Sequence, residues 1–112
     1  MSRENLVLGE GVVLPDDVEI GANVVIHAGT VIGAGCVIQD NVVLGKTPKL
    51  ASRSTASKKD LPGLVLGESV TICSGAVVFA GSAVGARTVI GDQAFVRENV
   101  TIGDDCGVGR GV

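Results

Sequence analysis

Aliphatic residues recur every six positions along the chain, at Leu8, Leu14, Ile20, Ile26, Ile32, Ile38 and Leu44. A second series with the same spacing runs through Leu66, Ile72, Val78, Val84, Ile90, Val96, Ile102 and Val108. A period of six fits neither the 3.6 of a helix nor the two-residue alternation of a long strand. It suits short strands separated by sharp bends, three of which close one coil of 18 residues, so fifteen hexads in phase predict a stacked repeat. The residue after the aliphatic one is Gly at Gly9, Gly21, Gly33, Gly45, Gly67, Gly85, Gly91, Gly103 and Gly109, which marks a tightly constrained backbone. Four residues after each aliphatic stand Val12, Val18, Val24, Thr30, Cys36 and Val42, then Val70, Ala76, Ser82, Thr88, Ala94, Val100, Cys106 and Val112. All are small or β-branched, as a crowded inward corner requires.

Read in full, the hexad is aliphatic-Gly-x-x-small-x. In this it resembles the hexapeptide-repeat, or isoleucine-patch, transferases. The resemblance covers all but about 18 residues and is far more specific for fold than for substrate. It implies an all-β fold, a left-handed parallel β-helix of about five triangular coils, with aliphatic side chains stacked inward at the strand spacing of about 4.8 Å. Residues 1–112 read as a single β-helix domain, with coils over 6–45 and 64–112 and one protruding insertion at 46–63.

Composition agrees with a narrow, repetitive core. The only aromatic residues are Phe79 and Phe95, and 17 glycines accompany the aliphatics, which disfavours a sandwich or bundle. No apolar run approaches the roughly 18 residues needed to span a membrane. The start, Met1 to Asn5, has no apolar segment ending in a cleavage site, so a cytoplasmic protein is expected. Cys36, Cys73 and Cys106 are odd in number and far apart, and with one histidine they offer neither disulfides nor structural zinc. The sequon Asn99-Val100-Thr101 is read as chance.

Between Leu44 and Leu66 the phase slips, because 22 is not a multiple of six. Residues 46–62 carry five Lys or Arg against one Asp, whereas the rest of the chain carries four basic residues against eleven acidic ones. This basic loop is either a solvated excursion or an arm that recruits an anion. In the family it resembles, such loops help wall a cleft for nucleotide-sugar or acyl-CoA, which makes Lys46, Lys49 and Arg53 candidate substrate-binding residues. Gly45-Lys46-Thr47 is not a P-loop, since Asp40 stands where its first glycine is needed. No serine sits in a G-x-S-x-G elbow. Nucleic-acid binding is disfavoured by a loop without aromatics and a formal net charge of -3.

The outward position before each aliphatic is apolar at Val7, Val13, Val25, Val31, Val37, Val43, Val65, Val77, Val89 and Phe95. So many outward apolar residues suggest a face covered by another chain, and the resemblance implies a homotrimer. The outward position after the aliphatic escapes glycine at Pro15, His27, Gln39, Cys73, Phe79 and Arg97. If the loop leaves between faces, His27, Phe79 and Arg97 share one face.

Many enzymes of this family use a histidine as general base toward the acceptor amine or hydroxyl. His27 is the candidate catalytic residue, its alternative being an exposed or subunit-contact histidine. Arg97 suits a phosphate, and Gln93 or Asn99 suits a sugar hydroxyl, although Gln and Asn are also ordinary turn residues. No metal is expected, because a γ-class carbonic anhydrase on such a fold needs three histidines, and a regular outward threonine array for ice binding is missing. The last hexad stops partway through a coil, and the family generally continues through further coils, so a truncated form of a longer transferase is expected. The resemblance implies acyl transfer from acetyl-CoA to an amine or hydroxyl of a small acceptor, with an amino-sugar nucleotide favoured. The alternative is a non-catalytic β-helix scaffold or oligomerisation module.

Overall fold

The computed structural model describes residues 3–47 and 61–111. Its regular elements are all strands, most of them two residues long. In chain order they are β1 (Val7–Leu8), β2 (Glu19–Ile20), β3 (Val25–Ile26), β4 (Val31–Ile32), β5 (Val37–Ile38), β6 (Val43–Lys46) and β7 (Val65–Leu66). There follow β8 (Thr71–Ile72), β9 (Val77–Phe79), β10 (Ala83–Val84), β11 (Val89–Ile90), β12 (Phe95–Val96), β13 (Thr101–Ile102) and β14 (Gly107–Val108).

These strands form three parallel sheets, and successive strands along the chain fall on successive sheets. Sheet A is β1-β3-β6-β9-β12, sheet B is β4-β7-β10-β13, and sheet C is β2-β5-β8-β11-β14. Val13 bridges to Val31 and adds a rung to sheet B. The protein is a left-handed parallel β-helix, each sheet forming one face of the prism.

The period-six aliphatics fill the prism. Ile20, Ile38, Ile72 and Ile90 stack along sheet C, and all four are fully buried. The equivalent ladder on sheet A is Ile26, Leu44, Val78 and Val96. Removing one such side chain from water contributes roughly 1.5–3 kcal/mol. The inward corners hold Val24, Cys36, Val42, Val70, Ala76 and Ala94, also buried. Three buried corners are polar, and each hydroxyl is used. Thr30 Oγ1 donates to the His27 carbonyl at 2.9 Å, Thr88 Oγ1 to the Gly103 carbonyl at 2.7 Å, and Ser82 Oγ to the Arg97 carbonyl. Burying these hydroxyls would otherwise be costly.

Most glycines after the aliphatics, Gly45 excepted, have a cause different from left-handed backbone. A Cβ at Gly33 would lie 2.5 Å from the Gly67 carbonyl carbon, and one at Gly85 would lie 2.5 Å from the Asp104 nitrogen. The constraint at these positions is the close approach of one coil to the next. Left-handed dihedrals fall two residues later, at corners such as Asn23 (φ 58), Asn41 (φ 61), Gln93 (φ 58) and Asn99 (φ 60). Asn is among the few non-glycine residues that tolerate this region.

Cysteine accessibility supplies a direct test of the packing. Cys36 is fully buried, and burial foremost raises its thiol pKa. Cys73 projects from sheet C, half-buried, its pKa raised by burial and then by Asp92, while Cys106 is exposed. Timed alkylation with peptide mapping by mass spectrometry is expected to modify Cys106 first, Cys73 slowly and Cys36 only on unfolding. Labelling of Cys36 as fast as Cys106 would contradict the core described.

Candidate functional site

Parallel register decides which residues share a face. Val25 pairs with Val43, 18 residues on, and Val43 pairs with Val77, 34 residues on, across the insertion. Val77 in turn pairs with Phe95. Sheet A therefore carries, immediately after its inward aliphatics, the outward column Gly9, His27, Gly45, Phe79 and Arg97. The matching column on sheet B is Pro15, Gly33, Gly67, Gly85 and Gly103, nearly bare of side chains. Sheet C carries Gln39 and Cys73 among glycines in the same column, so sheet A is the face with the most side chains there.

The insertion leaves from this face. Gly45 takes φ 75, and the register of β6 on β9 shifts between Leu44 and Lys46, so that Lys46 rather than Gly45 lies opposite Phe79. This is a bulge built on a left-handed glycine, a device that re-aims the next side chain. The Lys46 carbonyl accepts from the Ala80 N–H at 2.9 Å, and the Pro62 carbonyl accepts from the Gly81 N–H at 2.7 Å. Both ends of the insertion are thus tied to one corner of the next coil. Lys49 and Arg53 lie outside the described residues.

Phe79 is only 3% exposed although it occupies an outward position. Lys46 from the strand before it and Arg97 from the strand after it cover the ring, with Nζ at 5.7 Å and Cζ at 4.2 Å from the centroid. Cation–π contacts of this kind contribute roughly 0.5–1 kcal/mol each at exposed sites. Arg97 Nε also lies 3.1 Å from Glu98 Oε1, an atom that is buried and accepts no hydrogen bond among the described residues.

His27 is exposed on the same column, two strands before Phe79 and three before Arg97. At about 4.8 Å per strand the last separation is roughly 14 Å. Its backbone is held by N–H donation to the Leu44 carbonyl at 2.9 Å and by the Thr30 hydroxyl on its carbonyl. The residue after the inward aliphatic on the next strand is Gly45, where an added Cβ would lie 3.5 Å from His27 Cβ. Gln93 and Asn99 are exposed left-handed corner residues at opposite ends of β12. The structure brings Lys46 and Arg97 together, sets His27 three strands from Arg97, and leaves Gln93 and Asn99 as corners.

Four participants escape a reading of the sequence as sites. Phe79 reads as an outward hydrophobe, and Glu98 as an ordinary turn residue. Thr30 and Ser82 carry a usable signal, since they are hydroxyls in a row otherwise largely Val, Ala and Cys. Among the described residues no group of three or more His, Cys, Asp or Glu could hold a metal ion, and no helix is long and apolar enough to cross a membrane.

Comparison with known proteins places this geometry. The family model described as bacterial transferase hexapeptide (six repeats) matches residues 3–34 and 11–46. No curated protein matches the chain. The structure of Entamoeba histolytica serine acetyltransferase 1 in complex with L-cysteine superposes with a TM-score of 0.77 at 22% identity, covering 96% of this chain and 40% of that one. The acetyltransferase domain of PglB from Neisseria gonorrhoeae, solved alone and in complex with acetyl coenzyme A, gives 0.44 at 23% identity, covering 95% of this chain and 47% of that one. The chain thus spans less than half the length of these solved structures, and it is similar to the hexapeptide transferases in its first coils and to the serine acetyltransferase in fold throughout.

Proposed function

We propose that the protein is an acyl-CoA-dependent acyltransferase, or the β-helical part of one, and that sheet A is its working face. The observation that carries this reading is the outward column of sheet A, where His27, Lys46, Phe79 and Arg97 replace the glycines that line sheet B. A hexapeptide coil needs none of these side chains to fold, as sheet B demonstrates. Similarity to the bacterial transferase hexapeptide model adds support.

In this reading acetyl-CoA is the acyl donor, bound as a co-substrate, and the acceptor is a small amine or hydroxyl, with an amino-sugar nucleotide favoured. His27 removes the acceptor proton as the nucleophile attacks the thioester carbonyl, and coenzyme A leaves as the thiol. Lys46 and Arg97 hold phosphate oxygens, while Asn99 and Gln93 reach sugar hydroxyls from the two corners. Lys49 and Arg53 of the insertion extend the basic edge. The setting proposed is cytoplasmic, where acyl-CoA is available.

The assembly proposed is a homotrimer. Val13, Val31 and Val65 form a continuous exposed stripe on sheet B, at 52%, 37% and 45% exposure, beside its glycine column. Burying such a stripe against another copy removes apolar surface from water and leaves sheet A free.

Titration calorimetry with acetyl-CoA, after light scattering has established the oligomeric state, tests the reading first. Saturable binding by a trimer is expected, followed by thioester cleavage with at least one member of a panel of amino-sugar nucleotides. A well-folded trimer that binds no acetyl-CoA would instead support a scaffold.

A further inference from the structure

We infer that Lys46, Phe79 and Arg97 form a clamp for a diphosphate group. This names the ligand chemistry of sheet A and rests on the reading that this face binds ligand, but not on acyl transfer itself.

The charge distribution is the first ground. The chain is acidic, with a formal net charge of -3, and its described residues hold five cations, Arg3, Lys46, Arg87, Arg97 and Arg110. Arg87 is paired with Asp105 at 2.7 Å, and Arg3 donates to the Val18 carbonyl at 2.9 Å. Two of the remaining cations converge on a single ring, brought there by the bulge at Gly45. One carboxylate, Glu98, stands against those two positive charges.

The second ground is geometry. Nζ and Cζ both lie over the Phe79 ring, reaching it from the two strands that flank β9, and are no more than about 10 Å apart. A diphosphate sets one phosphoryl group beside each cation, whereas a single phosphate reaches one cation well and the other poorly. Arg97 spends Nε on Glu98 and has no other polar partner among the described residues; its side chain is 58% exposed, so its two terminal nitrogens can meet phosphate oxygens as a fork. Phe79, almost wholly buried, acts as the spacer that fixes the separation.

Calorimetric titration of inorganic pyrophosphate and of inorganic phosphate into the full chain tests the clamp. Pyrophosphate is expected to bind at least about tenfold more tightly than phosphate, and Arg97→Gln or Lys46→Gln to weaken it by about tenfold or more. Phe79→Leu, with its fold checked by circular dichroism, should erase the preference for pyrophosphate. Glu98→Gln should tighten binding by removing the competing carboxylate. Equal affinity for the two anions, or binding unaltered in Arg97→Gln, would overturn the proposal.

Both acyl-CoA and nucleotide sugars carry a diphosphate. Displacement of pyrophosphate by coenzyme A but not uridine diphosphate assigns the clamp to the donor, and the reverse assigns it to the acceptor. Intact pyrophosphate binding without thioester turnover would remove the acyl-transfer reading and leave the clamp standing.

Discussion

Gly33→Ala is expected to destabilise the protein by about 3 kcal/mol, the upper part of the range for overpacking a filled site. The added Cβ would lie 2.5 Å from both the carbonyl carbon and the carbonyl oxygen of Gly67, and 2.8 Å from the Glu68 nitrogen. These are backbone atoms, so no side chain can swing aside. The rung affected joins β4 to β7 across the insertion, where the two series of coils meet. Each coil of a stacked repeat contacts only its neighbours, which makes such a rung hard to bypass. Gly107→Ala is the control, since a Cβ there meets nothing within 4 Å and its dihedrals are not left-handed. It should be neutral or gain a few tenths of a kcal/mol through a stiffer unfolded chain. Urea unfolding of both variants decides the matter, and equal midpoints would show that the coils are not as closely stacked as described.

His27→Ala is expected to slow acyl transfer by about 100- to 10,000-fold, the usual contribution of a positioned general base. Affinity for acetyl-CoA and the circular dichroism spectrum should be unaltered. The side chain is exposed, and the bonds that hold the residue use its backbone N–H and carbonyl, which alanine keeps. Single-turnover kinetics with the acceptor found in the panel separates the chemical step from binding. An undiminished rate would show that the acceptor loses its proton to solvent and that His27 is a surface residue.

Much of the fold is legible in the residues. Ile20, Ile38, Ile72 and Ile90 occupy the period-six positions and stack as one buried ladder, because a triangular coil of three hexads returns each aliphatic to the same face. The glycine rule is legible but easily misread. Gly33 and Gly85 suggest unusual dihedrals, whereas their cause is the neighbouring coil, and Asn23, Asn41, Gln93 and Asn99 hold the left-handed corners instead. The polar character of Gln93 and Asn99 has therefore a local conformational explanation as well as the functional one proposed.

The candidate site is legible in part. His27, Lys46, Phe79 and Arg97 lie 18 or more residues apart along the chain, and their meeting depends on how the insertion is spliced into the coil. Phe79 illustrates the difficulty, since an outward hydrophobe on a repeat reads as exposed, yet two cations from adjacent strands bury it.

The sequence by itself determined the repeat, the inward ladder and the identity of the side chains that depart from it, because period-six hydrophobicity is a local property that survives without coordinates. Only the tertiary structure decided that Lys46 faces Phe79 across a bulge, that Arg97 closes on the same ring, and that His27 stands three strands from Arg97. The reason is physical: one left-handed glycine shifts the strand register, and the two coils on either side of the insertion pair by backbone hydrogen bonds whose phase no hexad count across the insertion can supply.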